Sequence, residues 1–296
     1  VVPSVITFAF DPILRLGDLA VPWETLGIAG AILLALLGAA ALARRTPPDA
    51  DGRRLHLDDL LTIVLGAVPG AIVGGRIGYA LIHADYYSSH LAALLDPSQG
   101  GFELSLAVAG GILSAAYLAA VLDAPVGRWA HVAAVPLLLA IEGGKAAMAW
   151  GASGQGSVSS AALATRYLGP GPWGSLAPDL PAHPSQLFEA GVVLVIAAAL
   201  VLALAEGAFA RRDGRLLPVA VALWLAGRVV VATTWRDPAV LGPLCADQVL
   251  SLVLLGLSVL SFVLLTLRAR RPVRTSSKPD WPDPAMAGTW RGSAGG

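Results

Sequence analysis

Seven apolar runs, at residues 25–43, 59–82, 104–122, 129–150, 186–205, 216–235 and 248–267, alternate with polar stretches along the chain. An α-helix rises 1.5 Å per residue, so roughly 20 apolar residues cross a hydrocarbon core of about 30 Å. The pattern therefore predicts an all-α integral membrane protein, a bundle of about seven transmembrane helices. Three segments stand apart from the runs. Residues 1–24 precede the first, residues 151–185 make a long connection rich in Gly, Ser, Pro and Ala, and residues 268–296 form a basic tail too poor in apolar residues to pack a core. The tail is expected to be disordered. A connection as long as 151–185 inside a compact body is usually functional or a small ordered cap. Residues 1–23 lack a basic stretch followed by a clean apolar one, so the spans themselves are expected to direct insertion.

Composition removes the soluble alternatives. The chain is 56% hydrophobic and 14% charged, with a mean hydropathy of +0.70; soluble domains carry about 25% charged residues. Lys plus Arg and Asp plus Glu both number 20, so no net field points to nucleic acid. The single cysteine, Cys245, excludes an internal disulfide and reads as an inert thiol. His56, His83, His90 and His131 lack metal-ligand spacing, so neither a metal nor another cofactor is expected.

The balanced charge hides a sorted one. Arg44, Arg45, Arg53, Arg54, Arg128, Arg211, Arg212, Arg215, Arg268, Arg270, Arg271, Arg274, Lys278 and Arg291 fall on one side of the predicted spans, against Arg15, Arg166 and Arg236 on the other. Basic residues concentrate on the cytoplasmic side. The N-terminus and the 151–185 segment are therefore expected outside, and the tail is expected in the cytoplasm.

An ionisable side chain within a span costs at least about 2.5 kcal/mol, so such groups normally face a bundle interior or a wet cavity. Here they are Arg76 in the second run, Glu142 and Lys145 in the fourth, Glu189 in the fifth and Arg228 in the sixth. Orientation puts all five in the outer half of the membrane. One shared, slightly cationic site opening outward is the economical reading, with the guanidinium forks of Arg76 and Arg228 suited to phosphate or ester oxygens. Glu142 and Lys145, three residues apart, lie on one helix face and are equally suited to a local structural pair. Gly66, Gly70, Gly74 and Gly78 form a small-residue ridge for close helix packing. Gly169, Gly171 and Gly174 spell a dinucleotide-like spacing, but Pro170 and Pro172 interrupt it and no strand precedes it, so it reads as a loop.

The 151–185 segment ends in His183-Pro184-Ser185-Gln186-Leu187-Phe188-Glu189. Pro184 suits the first turn of a helix, and Ser185 or Gln186 can satisfy its exposed amides. The run thus starts a helix with an imidazole and a carboxamide near the membrane surface and Glu189 a turn deeper. It resembles the HPSQLYE signature of prolipoprotein diacylglyceryl transferases. Gly74-Gly75-Arg76-Ile77-Gly78-Tyr79 is similar to that family's GGRxGY-type segment. The resemblance spans most of residues 23–267.

It implies a bacterial plasma-membrane enzyme that moves the diacylglyceryl group of phosphatidylglycerol onto the lipobox cysteine thiol of a prolipoprotein, whose signal peptide is the second partner, releasing glycerol phosphate. By the resemblance, Arg76 and Arg228 hold headgroup or ester oxygens and Glu189 orients them. Lys145 stands where the family's GRxGN-type segment has Arg. His183, Glu189, Arg228 and Lys145 form the expected catalytic set, and Arg76, Tyr79, Gln186, Glu142 and Gln155 the expected binding set, with Gln155 supplied by residues 151–156. Ala109 replaces the histidine of the FHGG-type segment, Met148 replaces the Asn of GRxGN, Ala232 the Glu a turn after the sixth-span Arg, and Phe188 the Tyr of HPSQLYE. These departures keep a phospholipid-binding homologue without turnover as a rival. A small-solute transporter is a more distant one, since no polar positions continue to the cytoplasmic side.

Overall fold

The computed structural model describes residues 5–96 and 100–270. Most of the tail expected to be disordered, everything beyond Arg270, lies outside the described residues. Among those described, seven helices are long and apolar enough to cross a membrane. They are α1 (Trp23–Arg45), α2 (Leu57–Ile82), α4 (Leu104–Val121), α5 (Val126–Met148), α6 (Ser185–Ala205), α7 (Leu216–Val231) and α8 (Ala246–Arg270), with α3 (Ala84–Tyr87) a single turn after α2. A 3₁₀ turn, Ala232–Thr234, extends α7. Each span coincides with an apolar run to within a few residues. Leu34, Leu65 and Leu113, about 70% exposed, point away from the bundle, as side chains solvated by lipid do.

The bundle core lies between α5, α6 and α7, where Leu138, Val193, Leu216, Ala220 and Trp224 are fully buried. Against it, α1 packs on α5 and α8 on α7, while α2 packs chiefly on α4. The α2–α4 contact rests on the glycine ridge. A Cβ added at Gly70 would strike the Gly110 carbonyl, one at Gly74 the Leu106 carbonyl, and one at Gly110 the Gly70 carbonyl. The two backbones touch, which only residues without side chains permit. Gly74→Val is expected to force them apart at a cost of about 2 kcal/mol, read as a lowered thermal midpoint in detergent. Gly30→Val, in α1 with open space around it, is the near-neutral control.

The α2–α4 pair makes few contacts with α1, α5 and α8. An apolar groove of about 440 Å³ separates it from α1 and α5, lined by Ile32, Ala35, Ala67, Val108, Gly111 and Leu137 among others.

The all-α expectation needs one amendment, a small β-containing cap at the end of the bundle where α4, α6 and α8 begin. It contains β1 (Ile6–Ala9), β2 (Ile13–Leu16), β3 (Leu19–Pro22), β4 (Thr165–Leu168), β5 (Ala239–Leu241) and β6 (Leu244–Cys245). Strands of two to four residues are too short to display a two-residue alternation in sequence. β1 runs parallel to β4, with Ile6 opposite Thr165 and Ala9 opposite Leu168, and Ala182 bridges Thr165 from the other edge. Residues 5–22 and residues 151–185 thereby form one ordered cap. Aromatic rings fill it: Phe8 stacks on Tyr167 at 5.0 Å and Trp173 lies 5.4 Å from both Tyr167 and Phe10.

Candidate active site

Glu189 stands one turn into α6, placed by a fixed helix start. The Ser185 hydroxyl shares a 2.6 Å hydrogen bond with the Thr234 hydroxyl, tying α6 to the end of the sixth span. The expected side-chain cap at this start is absent: neither Ser185 nor Gln186 satisfies the helix amides, because each bonds to a neighbouring segment instead.

From that position the Glu189 carboxylate meets three donors. Lys145 of α5 lies 2.8 Å from Oε2, the Arg228 guanidinium of α7 donates to Oε1 and Oε2 at 3.0 and 3.2 Å, and the Trp224 indole donates to Oε1 at 3.1 Å. Glu189 is 1% exposed and Arg228 4%. Arg228 continues the network on its other nitrogen, Nη2, which donates to Asp247 of α8 at 3.2 Å and to Glu103 at 3.4 Å. The Trp235 ring covers this centre, 4.5 Å from the Arg228 guanidinium and 5.9 Å from the Lys145 ammonium. Each charge is thus compensated in place, the condition for keeping such groups within a membrane.

Three of the five expected intramembrane charges therefore converge: Lys145, Glu189 and Arg228. Arg76 does not join them. It donates to the main-chain carbonyls of Ala93, Leu94, Asp96 and Gly101, clamping the segment between α3 and α4. The alternative of a local pair between Glu142 and Lys145 is not formed, because Lys145 reaches across to α6; Glu142 is half-buried and has neither an ion pair nor a hydrogen bond among the described residues. Tyr79 stacks on His83 at 4.1 Å and packs edge-on to Tyr87, supporting the same segment that Arg76 clamps. The His183 imidazole makes no hydrogen bond among the described residues. Its backbone holds residues 156–157 through bonds of 2.7 and 3.0 Å.

Four contributors escaped the sequence reading. Glu103 precedes α4 and accepts hydrogen bonds from the Ser105 and Leu106 amides, both at 2.6 Å, so one carboxylate caps a helix and pairs with Arg228. An acidic residue immediately before an apolar run is the sequence signal of such a cap. Asp247 occupies the first turn of α8, where a negative charge is favoured. Trp235 opens a Trp-Arg-Asp-Pro stretch that belongs to the family resemblance but was given no role, and Trp224 carried no signal beyond its aromatic character. With Glu103 and Asp247 included and Arg76 elsewhere, three carboxylates surround two cations, so the expected slightly cationic centre is instead formally −1.

Beside Glu189 lies a cavity of about 300 Å³, lined by Lys145, Gly154, Gln155, Gln186, Glu189, Trp235, Arg236 and Asp237. The Gln155 amide donates to the Thr165 carbonyl at 2.8 Å, and Arg236 is anchored on the Gly156 carbonyl. The Gln186 amide nitrogen donates to the Tyr167 hydroxyl at 3.2 Å. Burial pushes the Tyr167 phenol up to about 12, so it stays protonated at neutral pH. On the opposite flank Glu103 is followed directly by Leu104, which lines the apolar groove. One end of the Arg228 network, Lys145 and Glu189, thus lines the polar cavity, and the other, Glu103, directly precedes a residue of the apolar groove. Outside this centre, the Cys245 thiol is buried and its pKa is raised by that burial.

A charged centre between a polar pocket and an apolar groove is an arrangement for an amphipathic lipid. Comparison with known proteins gives it a family: the model for prolipoprotein diacylglyceryl transferase matches residues 12–264. The chain belongs to the prolipoprotein diacylglyceryl transferase family. Similar members include the phosphatidylglycerol–prolipoprotein diacylglyceryl transferase of Beijerinckia indica subsp. indica, 32% identical over 89% of this chain and 95% of that protein. The enzymes of the same name from Acaryochloris marina and Trichormus variabilis are 29% and 28% identical, each over 90% of this chain and 94% of theirs. The family match includes six spans entirely, α8 as far as Leu264, and every residue of the Arg228 network.

Proposed function

We propose that this chain is a transferase that moves the diacylglyceryl group of phosphatidylglycerol to the lipobox cysteine thiol of a prolipoprotein. Family membership over most of the chain, with relatives named for this reaction, supports the reading. The observation that carries it is the Arg228–Glu189–Lys145 centre at the junction of a polar cavity and an apolar groove. The headgroup occupies the cavity and an acyl chain the groove. The thiol sulfur attacks the glyceryl carbon that carries the phosphate; a C–S bond forms, the C–O bond breaks, and the thiol proton ends on the departing glycerol phosphate. Negative charge gathers on the phosphate oxygens as they leave. Lys145 and Arg228, already oriented by Glu189, stabilise it without having to reorganise. Glu189, with both oxygens engaged, is a positioning residue for these two cations.

In a bacterial inner membrane the cap end of the bundle faces outward and α8 ends on the cytoplasmic side. Support comes from the basic residues: Arg44, Arg45, Arg53, Arg54, Arg128, Arg211, Arg212 and Arg215 all lie at the end opposite the cap. There Arg128 bonds to the Arg53 and Pro47 carbonyls and pairs with Asp49. The cavity then opens where a secreted precursor presents its cysteine.

The test is purified, folded protein with phosphatidylglycerol and a synthetic lipobox peptide. Expected are a diacylglyceryl thioether on the peptide and an equal amount of glycerol phosphate. Lipid retained without either product would instead establish a binding protein.

A further inference from the structure

Gln186 is 1% exposed and lines the cavity, yet only half of its amide is used. The nitrogen donates to the Tyr167 hydroxyl, and Oε1 is buried with no hydrogen-bond partner. Tyr167 is itself packed against the rings of Phe8 and Trp173, so the hydroxyl that receives this bond is held in place. A buried acceptor left without a donor is costly and uncommon. Several other polar side chains around the cavity are already committed, while the Asp237 carboxylate at its exposed rim is not. Gln155 donates to Thr165 and accepts from Arg236 at 3.5 Å, and both Glu189 oxygens are taken by Lys145, Arg228 and Trp224. The cavity therefore offers an anionic ligand the Lys145 ammonium and the Arg236 guanidinium, and its lining holds one neutral acceptor without a donor, Gln186 Oε1. That combination fits a phosphate ester whose alcohol carries a hydroxyl. It disfavours an alcohol without a donor.

We propose that Gln186 determines headgroup specificity: its Oε1 accepts a hydrogen bond from a hydroxyl of the alcohol esterified to the phosphate. This rests on the reading that the donor is a phospholipid, and it names the group that distinguishes a glycerol headgroup from others of equal charge. A site built to receive a hydrogen bond discriminates against a ligand unable to make it, because the buried group is then left unpaired.

The experiment uses the full chain in nanodiscs with phosphatidylglycerol competing against phosphatidylmethanol of identical acyl chains, which has the same charge and no hydroxyl. Wild type is expected to retain phosphatidylglycerol about tenfold over its competitor, the effect of one hydrogen bond to a buried acceptor. Gln186→Met, similar in length but without the acceptor, is expected to bring the ratio to within about twofold, and Gln186→Glu, which keeps an acceptor, to restore a preference. Equal retention by wild type, or an unchanged ratio in Gln186→Met, overturns the proposal. Should the Met variant not fold, Tyr167→Phe frees the amide to rotate: a preference reduced several-fold supports the proposal and an unchanged one overturns it. The lipobox assay run in parallel separates the two readings. Thioether formed equally from both lipids rejects the role of Gln186 alone, whereas a preserved lipid preference without thioether rejects the transfer reaction alone.

Discussion

Arg228→Ala is expected to abolish transfer, by at least about a thousandfold, and to lower stability in the same protein. The guanidinium holds Glu189 on one nitrogen and Glu103 with Asp247 on the other, so its removal leaves two carboxylates without their cation and a third with Lys145 alone. Breaking a buried ion pair by deleting one partner costs about 3–5 kcal/mol. The Glu103 carboxylate also caps α4, and its loss of a counter-charge reaches that helix start. Arg228→Lys is expected to recover part of the thermal midpoint but little transfer, because one ammonium cannot span carboxylates on opposite sides as the fork does. The checks are peptide lipidation by mass spectrometry and thermal unfolding in detergent. Transfer at the wild-type rate in Arg228→Ala would remove this centre from the mechanism.

The second large effect is expected at Glu189. Glu189→Gln preserves shape and can still accept from Trp224, but leaves Lys145 and Arg228 facing each other without the charge that orders them. Transfer is expected to fall by about a hundredfold or more, chiefly in kcat, since aligned cations stabilise charge that develops in the transition state. The readout is a kcat and KM series in phosphatidylglycerol. A change confined to KM would make Glu189 a binding residue, and no change in either would end its assigned role.

Much of this was open to a sequence reading, for identifiable reasons. Membrane spans are written as length and apolarity, and seven were legible to within a few residues of their ends. Charges inside spans are expensive, so Lys145, Glu189 and Arg228 stood out and were correctly expected together. Depth, however, says nothing about direction around a helix axis. Arg76 shares the expected depth but clamps main-chain carbonyls on a loop, and Glu142 has the spacing to pair with Lys145 while the lysine reaches the next helix. Glu103 was missed, and Asp247, noted only as part of a polar start to the last span, was not assigned to the site, because both sit at or before the first turn of their helices, at the margin of the apolar runs where a charge is unremarkable. The sign of the centre followed from that omission. The cap was legible as a long connection but not as strands, because its pairing joins residues 6–9 to residues 165–168, far apart in sequence.

The glycine seam between α2 and α4 has a genetic corollary. Every single-base change that replaces a glycine adds a Cβ or ends the chain, and at Gly70, Gly74 and Gly110 even the smallest addition lands on a carbonyl of the facing helix. These codons have no amino-acid-changing neighbour in sequence space that keeps the two backbones at their present distance. Drift in the lineage of this protein is free along the lipid-facing leucines, where one apolar side chain serves as well as another, and is closed along a line of positions that make no contact with the cavity.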